Sequence, residues 1–468
     1  MQISNDGLIS LSDAPTSLSS DIGIQRKKSY FQLKRVLVFI LISIGDIIVN
    51  FHRACPTVVT DELAAAYHVQ VSRLGIFSSM FYYPYSLFQP FSGLLADIIE
   101  PSYLITISTI ISAIGATICG LSKSLFVGCV GRFIVGAGCS LMFCPCNTII
   151  INWFPLQHYS KILGLFIFIA GCGNILAQTP LTLFAKLIGW RWCFFSISIF
   201  ATLNSLIILF FVRGNPTIQG YPAVNVSLNN SHVNSTFSEK FHKLLKNLQT
   251  VASNPSLWFM GIFVFFGNGA CYNVAGIWGG PYLKEVFGYD SVKASNALLG
   301  LSIGGCVGSL IDPYLSLFLC CKSKKLTSFL GTIVAILCCI PLGFYHEKLK
   351  YGFVIALFAL FAMTTTGLAA VNYPLCIQNF HPSMGATVTG CLNCFAFVSL
   401  IVFMPVTGKI LDHFGTKSNG PGFHNPDGFK YGLWLFNICD LILGGIMLLF
   451  VKSKKNKGDD SKNYETVE

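Results

Sequence analysis

The stretch VRGNPTIQGYPAVNVSLNNSHVNSTFSEKFHKLLKNLQTVASNP, from Val212 to Pro255, is polar, basic and rich in Asn and Ser. Six apolar stretches precede it, starting near Val36, Gly75, Ser102, Phe126, Ile162 and Cys193. Six more follow, from near Leu257, Ala294, Leu326, Gly352, Met384 and Tyr431. About 20 residues at 1.5 Å rise cross a hydrocarbon core about 30 Å thick, and lipid offers no partner to an open backbone group, so each stretch reads as a helix. The expected fold is therefore an all-α membrane protein with twelve transmembrane helices in two six-helix bundles. Equal span number on either side of one linker is the mark of a duplicated unit.

The boundaries that follow are an N-tail over 1–35, a first bundle over 36–213, a linker over 214–255, a second bundle over 256–452 and a C-tail over 453–468. Hydrophobic residues make up 53% of the chain and charged residues only 11%, against roughly 25% charged in soluble domains, which argues against a soluble enzyme. The net charge of +11 comes from basic residues dispersed over loops and tails, so nucleic acid is not an expected partner. Lys and Arg concentrate in the N-tail, the even-numbered loops and the C-tail, which places both termini in the cytoplasm. The linker sequons at Asn225, Asn229 and Asn234 should then stay bare. Phe241, Leu244, Leu245 and Leu248, with Lys240, Lys243 and Lys246, fit either an amphipathic helix on an anionic leaflet or a linker helix packed under the bundle. Most of the 18 cysteines fall inside apolar spans and read as small packing residues rather than a disulfide framework.

Ionisable groups deep in a span are functional candidates by default, because an unpaired one costs several kcal/mol. Asp46, Asn50 and Arg53 recur at i, i+4 and i+7 and share one helical face, with His52 beside it. Arg132 opens a small-residue face through Gly136, Ser140, Cys144 and Asn147, and a pair with Asp46 across two helices is expected. The second half offers Asp312, ahead of Pro313, and Asp440. Asp46, Asp312 and His52 are the candidates for proton coupling. Neutral polar positions complete a candidate binding surface: Tyr82, Tyr85 and Gln89 in the second span, Asn174 and Gln178 in the fifth, Asn268 and Tyr272 in the seventh, Asn372 at the end of the tenth, Thr389 and Asn393 in the eleventh. Amides and phenols orient polar solutes without a buried charge. No paired acids or His-rich metal spacing occurs within a span, and no Gly-rich phosphate loop is followed by Lys and Ser or Thr, so neither an enzyme nor a bound cofactor or metal is expected.

Several segments carry a family resemblance. Gly93-Leu94-Leu95-Ala96-Asp97 looks like the start of a gating loop motif between spans two and three, and Arg132 through Gly138 looks like a fourth-span arginine motif. Trp153-Phe154-Pro155, Gly189-Trp190-Arg191 and the segment from Gly408 to Asp412 also fit. Together they resemble the major facilitator superfamily over about residues 36 to 452. The loop motif departs after Asp97, where Ile98, Ile99, Glu100, Pro101 and Ser102 stand in place of the usual basic residues, which puts the usual charge latch in doubt. His52-Arg53 with Pro56 and Glu62, Phe81-Tyr82-Tyr83 and the block through Asn147 and Trp153 resemble the branch holding lysosomal dipeptide transporters and related bacterial carriers. That resemblance implies a substrate role for Arg132 and transport without ATP hydrolysis, by uniport or proton coupling.

The expected function is secondary active or facilitative transport of a small polar solute by alternating access. A carboxylate-bearing dipeptide or amino acid is the favoured substrate, with Arg53 or Arg132 as the electrostatic partner among the candidate binding residues and the neutral positions above orienting the rest. The rivals are an organic-anion or organophosphate exchanger, which often uses an arginine from each half where this seventh span has none, and a sensor or accessory subunit without flux. The expected partners are the substrate, the bilayer and candidate protons; a homodimer or accessory subunit stays open. Tyr464-Glu465-Thr466-Val467 has the form of an endosomal or lysosomal sorting signal, so that location stands beside the plasma membrane.

Overall fold

The computed structural model describes residues 16–69, 74–177, 179–225, 246–318, 323–381, 384–415 and 425–452. Among the described residues, twelve helical segments match the expected spans, with shorter helices between them. The first six are α1 (Thr16–Val58), α2 (Tyr82–Ile98), α3 (Pro101–Leu121), α4 (Leu125–Ser140, resuming as Phe143–Trp153), α5 (Tyr159–Leu176) and α6 (Trp190–Phe211). The second six are α7 (Pro255–Asn273), α8 (Ser291–Phe318), α9 (Lys324–Phe344), α10 (Tyr351–Met363, resuming as Ala369–Ile377), α11 (Gly385–His413) and α12 (Phe436–Phe450). Nine of them, all but α1, α2 and α10, are long and apolar enough to cross a membrane among the described residues when α4 is taken across its break and α12 with the helical turns that lead into it from Pro426. Of the other three, α2 has only 17 residues and α10 is interrupted after Met363.

Helix starts follow local chemistry. Pro101 and Pro255 open α3 and α7 at positions where a missing N–H costs nothing. Ser124, Asn254 and Ser323 accept from backbone N–H groups of the first turns of α4, α7 and α9. Gly189, with φ +92°, makes the turn into α6 that a side chain would strain. α1 begins at Thr16, ahead of the span start expected near Val36, and so exceeds the membrane thickness.

The linker leaves α6 and is strapped under the first bundle. Asn152 Nδ2 donates to Gly214 O at 2.9 Å, Trp153 Nε1 donates to Arg213 O at 2.8 Å, and Gly214 N–H donates to the Glu100 carboxylate. Asn225 Nδ2 donates to Ile151 O at 2.7 Å and Phe154 O at 3.1 Å. Tyr221 packs on Phe31 with ring centroids 5.0 Å apart. Residues 246–252 are helical, while Asn229, Asn234 and the segment from Lys240 to Leu245 lie outside the described residues, as do Cys320, Cys321, Gln178, Tyr464 and Val467.

Buried apolar side chains form one cluster within the second bundle, around Tyr282, Phe361 and Trp434, and one within the first, around Tyr67, Phe77 and Trp190. The largest cluster spans both bundles, from Phe81, Tyr85 and Cys146 to Tyr373, Leu392 and Phe397. The bundles meet along α2 with α11 and α5 with α8. Glycines permit this closeness: a Cβ on Gly93 would sit 2.3 Å from Ala386 O, and one on Gly164 would sit 2.1 Å from Ser309 O. Both contacts lie toward the end of the molecule that carries the linker.

Candidate substrate site between the two bundles

Arg53 sits where the two halves touch. Its helical periodicity with Asn50 places both on the inner face of α1, and Nη1 donates to Asn50 Oδ1 at 3.3 Å while Nη2 donates to the Tyr85 hydroxyl of α2 at 3.2 Å. The guanidinium carbon lies 5.3 Å from the Tyr85 ring centroid and 4.8 Å from that of Phe397 on α11. Tyr85 and Phe397 meet edge to face at 4.6 Å, and Tyr272 of α7 stacks on Phe397 at 6.2 Å. Arg53 is thus contacted by an aromatic ring from each bundle, a favourable setting for a cation. A guanidinium has five N–H donors, and only two of these contacts are with neutral polar partners. Its Nε is buried without a hydrogen-bond partner.

Asn50 holds this arrangement. Its Nδ2 donates to Asp46 O at 2.9 Å, and its Oδ1 also receives Asn174 Nδ2 of α5 at 3.4 Å. Asp46 is buried and within electrostatic reach of Arg53, as are Tyr82 and Tyr272. Asp46, Asn50, Arg53, Tyr82, Tyr85 and Tyr272 thus lie near one another, while Asn268, expected on the face of Tyr272, does not join them.

Arg132 is placed differently. It is fully buried inside the first bundle, with Nη1 donating to His52 O at 2.7 Å and its charge over the rings of Phe81 at 5.0 Å and Phe77 at 5.7 Å. Nε and Nη2 have no hydrogen-bond partner. The expected pair with Asp46 is not formed, because the nearest acceptor the helix crossing offers is the backbone carbonyl of His52. The His52 ring is sealed from solvent with neither nitrogen bonded.

Other positions separate as well. Gln89 and Asn393 bond each other at 3.2 Å across the seam, and Asn147 Nδ2 donates to Thr389 Oγ1 at 2.9 Å. Asn268 and Asn372 do not join the Arg53 cluster: they line a small cavity inside the second bundle with Phe263, Thr332, Thr365 and Leu441. Asn268 lies one turn along α7 from Tyr272, and at that level the helix opens on the cavity, whereas Tyr272 reaches Phe397 of α11. Asn372 accepts from Ser328 Oγ of α9 at 2.7 Å. Asp312 and Asp440 are buried in α8 and α12, each with Oδ2 unbonded. Gly93 packs on the first turn of α11; the Asp97 side chain lies outside what the structure describes.

Sequence reasoning passed over Phe397 and Tyr373. The only signal for Phe397 was its place one turn after Asn393 on the same face of α11.

The model of the Major Facilitator Superfamily matches residues 37–405. The chain belongs to this superfamily. It is a multi-pass membrane transporter of small solutes, not an enzyme. A probable hexose phosphate transport protein of Chlamydia muridarum is 24% identical, over 83% of this chain and 87% of that protein. The membrane sensor protein UhpC of Escherichia coli is 22% identical over 80% and 85%, and a probable sulfoacetate transporter, SauU, of Cupriavidus necator is 21% identical over 79% and 84%. Among solved structures, the Escherichia coli fucose:proton symporter FucP superposes with a TM-score of 0.63 at 16% identity, covering 90% of this chain and 100% of that one, which bears on the fold alone.

Proposed function

We propose that this transporter carries a small organic anion by alternating access and that Arg53 is the electrostatic partner of its negative group. The observation that carries this reading is a cation held between rings of both bundles, with donors left over. Rocking of the two halves about the site would remake these contacts, which is how a bound anion would bias the exchange between states. The favoured negative group is a carboxylate or sulfonate. One guanidinium can take a single planar or monoanionic group bidentately, and the other deep arginine faces away from the seam. The similarity to a sulfoacetate transporter supports that choice, whereas the similarity to hexose phosphate transporters supports organophosphates; a dipeptide or amino acid is one member of the carboxylate class.

Tyr82, Tyr85 and Tyr272 would orient the rest of the substrate. Both termini and the linker face the cytoplasm in this reading. Proton coupling would run through Asp46, beside the site, or Asp312, close to the α5 and α8 seam; the enclosed His52 is the weaker carrier. The test is uptake into proteoliposomes of radiolabelled short carboxylates, sulfonates and phosphate esters. Arg53→Ala should abolish uptake that the unaltered protein shows, and full uptake by that variant at equal reconstitution would refute the assignment. Uptake that ignores a pH gradient would remove the proton.

Similarity to a membrane sensor favours a second reading, solute sensing without flux. Solute-dependent thermal stabilisation with no uptake would select it.

A further inference from the structure

Beneath the Arg53 cluster, α2 and α11 stay in register for another turn. Tyr85 and Phe397 form the upper contact; Gln89 and Asn393, each one turn nearer the linker end, form the next. Asn393 Nδ2 donates to Gln89 Oε1 at 3.2 Å, and Asn393 Oδ1 accepts from the Tyr373 hydroxyl of α10. Cys144 of α4 reaches the same Gln89 oxygen, Sγ to Oε1 3.8 Å. Just below, the helices close to backbone contact: a Cβ on Gly390 would sit 2.4 Å from Gln89 O, and one on Gly93 would sit 2.3 Å from Ala386 O. Gln89 is completely buried, and its Nε2 has no hydrogen-bond partner.

We propose that the Gln89 and Asn393 side chains form a neutral bolt between the bundles that closes the floor of the substrate site on the linker side. The inference rests on placing the site at Arg53, since that is what makes this contact its floor. Two features suit a gate rather than permanent glue. The bond joins the two halves at the seam and is continuous, one helical turn away, with residues contacting the charged group. The orphaned Nε2 also raises the free energy of the closed arrangement, because a buried donor without a partner forfeits the hydrogen bond it would make to water, so opening that hydrates the seam repays it. Asn393 is then a gating residue in this state, with both of its amide functions engaged, and not a direct ligand. A bolt made of amides should also hold at high ionic strength, since salt screens charges and not neutral hydrogen bonds. It supplies closure where the loop after Asp97 lacks the expected basic residues.

Cys144 is a native reporter, fully buried directly against the bolt. The full-length protein in liposomes, without added solute, is treated with N-ethylmaleimide, and modification of Cys144 is followed by peptide mass spectrometry. Cys338, buried inside the second bundle, reports general loosening. Gln89→Leu and Asn393→Leu should each raise the Cys144 rate about tenfold, the effect of one lost hydrogen bond of ordinary strength on an opening equilibrium, while Cys338 stays protected. The exchanged pair Gln89→Asn with Asn393→Gln should restore protection. The proposal is overturned if Cys144 reacts no faster in either single variant, if Cys338 labelling rises in step with it, or if the exchanged pair labels like the single variants. Thermal stabilisation of the parent by a short carboxylate or sulfonate separates the two readings: its absence removes the site at Arg53, whereas Cys144 labelling in the leucine variants judges the bolt by itself.

Discussion

The two deep arginines of the first bundle carry the same charge and meet opposite surroundings. Arg53 reaches the seam, bonded to neutral groups of α1 and α2 and covered by a ring of α11. Arg132 turns inward, against a backbone carbonyl and two rings of its own bundle. A charge buried behind aromatic walls can hold helices together, but it cannot respond to the other half of the molecule. The difference teaches that a cation becomes a candidate for transport by touching both bundles, and depth in the membrane alone does not make it one.

Arg53→Lys keeps the charge and loses the planar fork, so anion affinity should fall by roughly 10- to 30-fold in a calorimetric titration; unaltered affinity would mean that only point charge matters. Phe397→Leu removes the ring from the second bundle, and a desolvated cation–π contact of about 1 kcal/mol corresponds to roughly fivefold weaker binding. Asn273→Ala deletes donors to Thr407 Oγ1 at 2.8 Å and Asn437 Oδ1 at 3.3 Å inside the second bundle. It should lower thermal stability by about 1 kcal/mol and leave affinity alone, which marks that network as structural. Arg132→Leu should change anion affinity by less than about twofold, the ordinary scatter for a residue that does not touch ligand; a loss matching that of an Arg53 substitution would erase the distinction drawn here.

Much of this was legible in the sequence for a simple reason. Helical period and span length are local, so the twelve helices, the two bundles and the shared face of Asp46, Asn50 and Arg53 follow from spacing alone. Tyr85 follows from the same period on α2. Which neighbour a face meets is not local. Phe397 is one of 41 phenylalanines in an apolar chain and carries no distinguishing mark until α11 is placed against α2. Asn268 and Asn372 look like site residues by type, yet helix rotation sends them to a cavity inside the second bundle. The partner of Arg132 is a main-chain oxygen, which every residue possesses and no side-chain pattern announces. The interruption of α4 near Leu141 lies within an apolar run and leaves no mark, whereas that of α10 after Met363 falls on Thr364-Thr365-Thr366-Gly367, a short polar signal inside an otherwise apolar span.

The most direct test of the central claim is a thermal-stability titration of the purified protein with a short carboxylate or sulfonate, run on the parent, Arg53→Ala and Arg132→Leu. Saturable stabilisation by the anion is expected in the parent and in Arg132→Leu, and none in Arg53→Ala. Stabilisation that survives in Arg53→Ala and disappears in Arg132→Leu would put the anion at Arg132 instead.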